Sequence, residues 1–242
     1  MIGVENQVAV VTGASRGIGR AIALGLASQK TLLFLVARDR SALDEVAEIA
    51  ARSSPLVVPH AIDLAADGAI TNIVENLCQR FGGVDLLIHS AGAYSAGDLQ
   101  TTSVEEFDRL YRANVRAPYL LTQGLLHLLK SRKGQIAFIN STQGLQAAPR
   151  LGQFAATQHA LRAIADSLRD EVNSDGVRVL SIYPGRTATP RIEAVFRKEG
   201  REYRPELLLQ PEDIAEALIN ALRMPRTAEV TNIHIRPFMK SY

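Results

Sequence analysis

The sequence predicts a doubly wound α/β fold, one sheet of about seven parallel strands with helices on both faces. Three observations predict it. Short apolar runs alternate with helical spacings along the whole chain, several of the runs are apolar throughout, and the first breaks into a glycine-rich turn. A run without polar alternation is how a strand buried on both faces of a parallel sheet reads.

The elements follow in order. Residues 7–12 (QVAVVT) form the first strand, and glycines from Gly13 to Gly19 end it. Residues 16–28 carry Ile18, Ile22 and Leu26 at helical spacing. Residues 31–37 (TLLFLVA) are a second strand, and Ser41-Ala-Leu-Asp44 reads as a capping box before Leu43, Val46, Ala47 and Ala50. A third strand at 56–59, a helix at 67–80 and a fourth strand at 84–89 continue the alternation. Ser103-Val-Glu-Glu106 caps a long helix reaching Lys130. A strand at 135–140, a helix at 152–173 and a strand at 177–183 follow. Pro211 opens a helix to Leu222, where proline suits a first helical position. Residues 230–235 close the pattern. No linker, repeat or low-complexity stretch interrupts it, so one domain spanning 1–242 is expected.

Bulk properties narrow the function. The chain has 242 residues, 47% apolar and 21% charged, which suffices for a large core without metals or disulfides. Lys plus Arg number 27 against 25 for Asp plus Glu, so no global field marks it for nucleic acid or membrane. Cys78 is the only cysteine; it excludes an internal disulfide, fits a reducing, cytoplasmic setting, and is expected in the core beside Leu77 and Phe81. The first strand begins within seven residues of the start, which leaves no room for a signal peptide. No apolar run approaches the roughly 18 residues of a membrane helix. The histidines at 60, 89, 127, 159 and 234 show no metal-ligand spacing, and there is no G-x-S-x-G elbow.

The turn Thr12-Gly-Ala-Ser-Arg-Gly-Ile-Gly19 stands where a strand hands over to a helix. Glycines there let backbone approach a pyrophosphate, and the helix N-terminus supplies free N–H groups and a favourable dipole. Its spacing is G-x-x-x-G-x-G rather than G-x-G-x-x-G. Arg16 lies in the turn and Arg38 just past the second strand. A carboxylate at the second place bonds a ribose hydroxyl, whereas arginine suits a 2′-phosphate, so NADP(H) is favoured over NAD(H). Asp39 offers the acidic alternative. Asp63, after the third strand, is either an adenine partner or a turn-former, and Ala91-Gly92 lets backbone come close to a cofactor.

These motifs resemble the short-chain dehydrogenase/reductase family over essentially the whole chain. The resemblance implies a Rossmann fold whose cofactor is held by Gly13, Ser15, Arg16, Gly17, Ile18, Gly19, Arg38, Asp63, Leu64, Ala91 and Gly92. Pro184, Gly185, Thr187 and Thr189 match the segment that holds the nicotinamide amide. His89-Ser90 stands where the family has two asparagines. The family's catalytic set is Asn, Ser, Tyr and Lys. Asn114 matches the first; Phe107, Leu110 and Tyr111 precede it at helical spacing and place it on a buried face. It is either catalytic or a structural amide. Ser141 matches the second. Counting from Ser141, the tyrosine position falls on Phe154 and the lysine position on Gln158, which share one helix face. Phenylalanine moves no proton and glutamine carries no charge.

Three residues are candidate substitutes: His159, one position off the required face, and Tyr94 and Tyr183, of which Tyr94 is the best placed. Arg191, Arg197, Lys198, Arg201 and Arg204 crowd a lid segment at about 188–210 that either receives an anion or is a solvated face. Two readings follow: an NADP(H)-dependent oxidoreductase of a carbonyl, alcohol or quinone-like small molecule with impaired proton transfer, or a silent NADP(H)-binding sensor or partner subunit. The resemblance also implies a homodimer or homotetramer.

Overall fold

The computed structural model describes residues 3–239. Seven parallel strands form one sheet in the order β3-β2-β1-β4-β5-β6-β7. They are β1 (Val8–Thr12), β2 (Leu32–Ala37), β3 (Val57–Ala61), β4 (Leu86–His89), β5 (Gln135–Ile139), β6 (Arg178–Pro184) and β7 (Asn232–Ile235). Strand residues alternate between two cores. Ala9, Val11, Leu33 and Leu35 face one side, under α1 (Gly17–Ser28), α2 (Arg40–Ala50) and α8 (Pro211–Leu222). Val10, Phe34, Val36 and Phe138 face the other, under α3 (Ala69–Phe81), α5 (Ala117–Arg132) and α6 (Gly152–Val172). Burial on both faces is why these strands read as unbroken apolar runs. The strand order reverses between β1 and β4, which opens a crevice at their carboxyl ends.

Several expectations are corrected. The cap of α2 is Asp39, whose carboxylate accepts from the Ala42 N–H at 3.2 Å, so Ser41-Ala-Leu-Asp44 is not a capping box. A β-region Asp directly before the helix outcompetes a serine already inside it; Asp44 instead pairs with Arg40 at 2.8 Å. The helix expected from Asp67 starts at Ala69, because Gly68 holds a left-handed φ of 75°. Cys78 is exposed rather than in the core. Helix α3 buries Ala69, Ile73 and Leu77, and Cys78 is turned about 100° from Leu77.

The long middle helix is interrupted. Helix α4 (Val104–Tyr111) is capped by the Ser103 hydroxyl, which accepts from the Glu106 N–H at 3.3 Å. A π turn, Arg112–Arg116, then joins it to α5. Phe107 and Tyr111 are 38% and 44% exposed, so they do not lead a buried stripe to Asn114, which is 1% exposed. The π turn inserts an extra residue per turn and rotates Asn114 inward. No helix among the described residues is long and apolar enough to cross a membrane.

Candidate active site

Parallel strands deliver their carboxyl ends to one edge of the sheet, and the predicted residues gather there. Thr12 closes the base of the crevice: its hydroxyl accepts the N–H groups of Ser90 and Ala91, both at 3.1 Å, and donates to the Ile88 carbonyl at 3.3 Å. Gly13 has φ of 69°, and a Cβ there would stand 2.8 Å from the Ala91 backbone. Any side chain would therefore push β1 and β4 apart. A Cβ on Gly19 would collide with the Gly13 carbonyl, and one on Gly17 would reach within 3.1 Å of Thr189. Ser15 is buried and Ile18 packs on the core, leaving Arg16 exposed at the N-cap of α1. The turn is thus a concave backbone surface with guanidinium at its rim.

Arg38 emerges after β2 and lies 4.0 Å from the Asp63 carboxylate. Asp63 also accepts from the Ala65 N–H at 3.0 Å, the bond of a turn-former, while Leu64 packs on the core. Arg191 reaches in from α7 (Pro190–Lys198) and donates to the Gly92 carbonyl at 2.6 Å. Crowding by protein, and then by the guanidinium groups of Arg16, Arg38 and Arg109, pulls the Arg191 pKa below its usual value, although water still reaches the side chain. Like charges held together in this way favour an anion between them.

Asn114 ties three segments into one frame. Its Oδ1 accepts from the Ala93 N–H at 2.6 Å, and its Nδ2 donates to the Ala93 carbonyl and to Thr157 Oγ1, both at 3.0 Å. Thr157 in turn donates to the Phe154 carbonyl at 2.7 Å and accepts a longer contact from Gln158 Nε2 at 3.4 Å. Ser141 follows β5 and accepts from the Gln143 N–H at 3.2 Å. The segment on either side of it is pinned to α6 twice, by Asn140 Nδ2 donating to the Gln158 carbonyl and by His159 Nδ1 on the Gly144 carbonyl, each at 3.0 Å. Asn114, Ser141, Phe154 and Gln158 are therefore brought around one helix end, with Phe154 and Gln158 buried.

Of the substitute donors, Tyr94 lies against this group: its ring meets Phe154 edge-on at 5.1 Å. Burial pushes its phenol pKa up, helped by Glu199 and opposed by Arg186 and Arg191, so it stays protonated at neutral pH. Tyr183 does not approach the crevice. It is buried under α6 near Arg162, Asp166 and Arg169, because inward-facing β6 residues pack beneath that helix. His159 is held by Gly144, turned away from the Phe154 face. His89, in the family's asparagine position, is fully enclosed, stacks on Phe138 at 4.8 Å and shares a 2.8 Å hydrogen bond with Thr122. Burial pushes its pKa down to about 3.

The strand-to-lid segment is ordered by its own bonds. The Gly185 N–H donates to the Ile235 carbonyl at 2.8 Å, directly after Pro184 ends β6. Thr187 is buried and donates to the Gly185 carbonyl at 3.1 Å. Thr189 caps α7 by accepting from the Ile192 N–H at 3.3 Å. The lid cations divide: Arg197, Arg201 and Arg204 pair with Glu193, Glu199 and Glu206, whereas Arg191 faces the crevice. Sequence reasoning passed over Arg186 and Thr157. Only the position of Arg186, directly after Pro184-Gly185, signalled it in the chain. A hollow of about 640 Å³ beside α8 and β7 is lined by Glu206 and Ile235 but by none of Asn114, Ser141, Phe154 and Gln158.

The family model for short chain dehydrogenases matches residues 7–200, and the chain belongs to that family. An uncharacterized oxidoreductase of Staphylococcus saprophyticus is 33% identical over 239 residues, 98% of this chain and 100% of the relative. Among solved structures, L-sorbose reductase from Gluconobacter frateurii, complexed with NADPH and L-sorbose, superposes with a TM-score of 0.89 at 27% identity, over 97% of this chain and 96% of that one. The alcohol dehydrogenase from the archaeon Thermococcus sibiricus, complexed with 5-hydroxy-NADP, gives 0.86 at 29% identity, over 98% and 99%.

Proposed function

We propose that the chain is an NADP(H)-binding oxidoreductase acting on a carbonyl, alcohol or quinone-like small molecule, with proton transfer weakened at Phe154 and Gln158. The observation that carries this reading is the glycine cradle at the β1–α1 turn, which side chains would fill, rimmed by Arg16, Arg38 and Arg191. The cradle and its cations fit a dinucleotide with a 2′-phosphate. The NADPH and NADP-analogue complexes of the two solved relatives support the same choice.

Gly13, Ser15, Arg16, Gly17, Ile18 and Gly19 would take the pyrophosphate, Arg38 the 2′-phosphate, and Asp63 with Leu64 the adenine. Ala91 and Gly92 would lie along the ribose, with Pro184, Gly185, Thr187 and Thr189 on the nicotinamide side. NADP(H) supplies a hydride when bound. Ser141 orients the substrate oxygen, and Asn114 holds the helix end in place. Phe154 offers no proton to that oxygen, so Tyr94 or water supplies it. The same absence supports a second reading, a silent NADP(H)-binding sensor or partner subunit.

The reading is tested at Arg38. Fluorescence titration should give tighter binding of NADPH than of NADH, and Arg38→Leu should weaken NADPH roughly 10- to 100-fold while leaving NADH nearly unchanged. Equal affinities for the two cofactors, unmoved by the substitution, overturn it.

All seven strands join one sheet, which supports one domain with a lid at about 188–210. Val104, Phe107 and Tyr111 form an exposed apolar stripe along α4, and this supports pairing of middle helices in a homodimer or homotetramer. Sedimentation should show a dimer or larger, and Phe107→Asp should dissociate it; a monomer at micromolar concentration removes the proposal. The single cysteine, unpaired and exposed, supports a cytoplasmic setting.

A further inference from the structure

We infer that Arg186 is a substrate-recognition residue and that the substrate carries a carboxylate alongside its carbonyl group. The inference rests on the oxidoreductase reading for the word substrate, but its observations are separate from those of the cofactor cradle.

Arg186 leaves the carboxyl end of β6 directly after Gly185. Its guanidinium carbon sits 5.2 Å from the centroid of the Phe196 ring, on α7. It is also close enough to Tyr94 to oppose the rise in that phenol's pKa. Tyr94 in turn stands edge-on to Phe154. Arg186 thus sits at the carboxyl edge of the sheet, against α7 of the lid. Its Nη1 is buried and has no hydrogen-bond partner among the described residues. Arg201 stacks on the same ring at 4.7 Å and also buries an unpartnered Nη2, but its Nη1 pairs with Glu199 at 3.1 Å, and Arg197 pairs with Glu193 at 3.2 Å; Arg186 has no carboxylate partner among the described residues.

A guanidinium N–H shut away from water without an acceptor is costly, and an ionised partner relieves that cost best. The planar guanidinium fork matches a carboxylate in geometry and charge. Phe154, Tyr94 and Phe196 supply apolar faces for the rest of the molecule. Arg191 donates to the Gly92 carbonyl, Arg109 holds Glu106 and Arg201 holds Glu199, which leaves Arg186 as the cation of the lid side without an acceptor among the described residues.

Calorimetric titration of the NADPH-loaded protein with benzoylformate and with its neutral methyl ester tests this. The acid should bind roughly 10- to 100-fold tighter than the ester. Arg186→Leu should bring the two to equal affinity, Arg186→Lys should keep part of the difference, and Arg197→Ala should leave it intact. Equal binding of acid and ester by the parent protein overturns the assignment, and so does a preference that survives Arg186→Leu. If the leucine variant does not fold, the parent comparison and the lysine variant decide. The same titrations without cofactor separate the two readings. Failure to bind NADPH sinks the oxidoreductase reading, whereas the preference of the unloaded protein for acid over ester still decides the role of Arg186.

Discussion

The Phe154→Tyr/Gln158→Lys double variant should reduce a simple ketone with NADPH about 10²–10⁴ times faster than the parent chain. That gain corresponds to roughly 3–6 kcal/mol of barrier, the worth of a positioned acid whose pKa a neighbouring ammonium lowers. The two positions lie one helical turn apart on α6, so both new groups face the same space. Neither single change should deliver the full effect. A tyrosine without the lysine has no ammonium to lower its pKa, and a lysine without the phenol has nothing to activate, so the pair should exceed the sum of its parts. Steady-state loss of reduced nicotinamide absorbance reads the rate. Tyr94→Phe completes the experiment: loss of the parent chain's residual turnover assigns the proton to Tyr94, retention assigns it to water, and the double variant should be spared in either case. A double variant that binds NADPH and is no faster than the parent refutes the assignment of Phe154 and Gln158.

Acid should destabilise the folded chain through His89. Burial holds its folded pKa down at about 3, from 6.5. Above pH 6.5 the imidazole is neutral in both states, and its contribution to stability is complete. As the pH falls below 6.5, the unfolded chain takes up a proton that the folded chain refuses, so stability drops by about 1.4 kcal/mol per pH unit. The loss accumulates until the pH nears 3, where the folded form also protonates. Denaturant midpoints between pH 7 and pH 4 measure this. His60, also shifted down chiefly by burial, adds a loss of the same sign. The difference between the parent chain and His89→Gln isolates the part due to His89. Parallel profiles for the two proteins would refute it.

The fold was readable because burial on both faces writes itself into the strands, as in the all-apolar Leu32–Ala37 segment whose Leu33 to Val36 are fully enclosed. Helix α8 falls between the residues expected for it because a proline at its first position announces the start. Starts set by competition were harder: Asp39 displaced Ser41 as a cap, and Gly68 delayed α3. The place of the glycine turn and the burial of Asn114 were also legible, though Asn114 is buried for a reason the heptad-like spacing did not contain. The π turn redirects it, while Phe107 and Tyr111 stay in water. Arg186 had only its place after Pro184-Gly185 to mark it, because its buried Nη1 and its lack of a carboxylate partner exist only in the folded chain. In sequence it is one basic residue among many near the lid. Tyr183 had the right residue type on the wrong face of its strand.

The Asn114 amide joins the loop after β4, the middle helix and α6 while drawing on Phe154 only through its carbonyl. The scaffold is therefore independent of what the ring at 154 bears. A chain with this architecture can lose its proton-handling side chains and keep the shape of the chamber they served. Chemistry here is a detachable layer on a self-supporting frame, and the path back is as short as the path out.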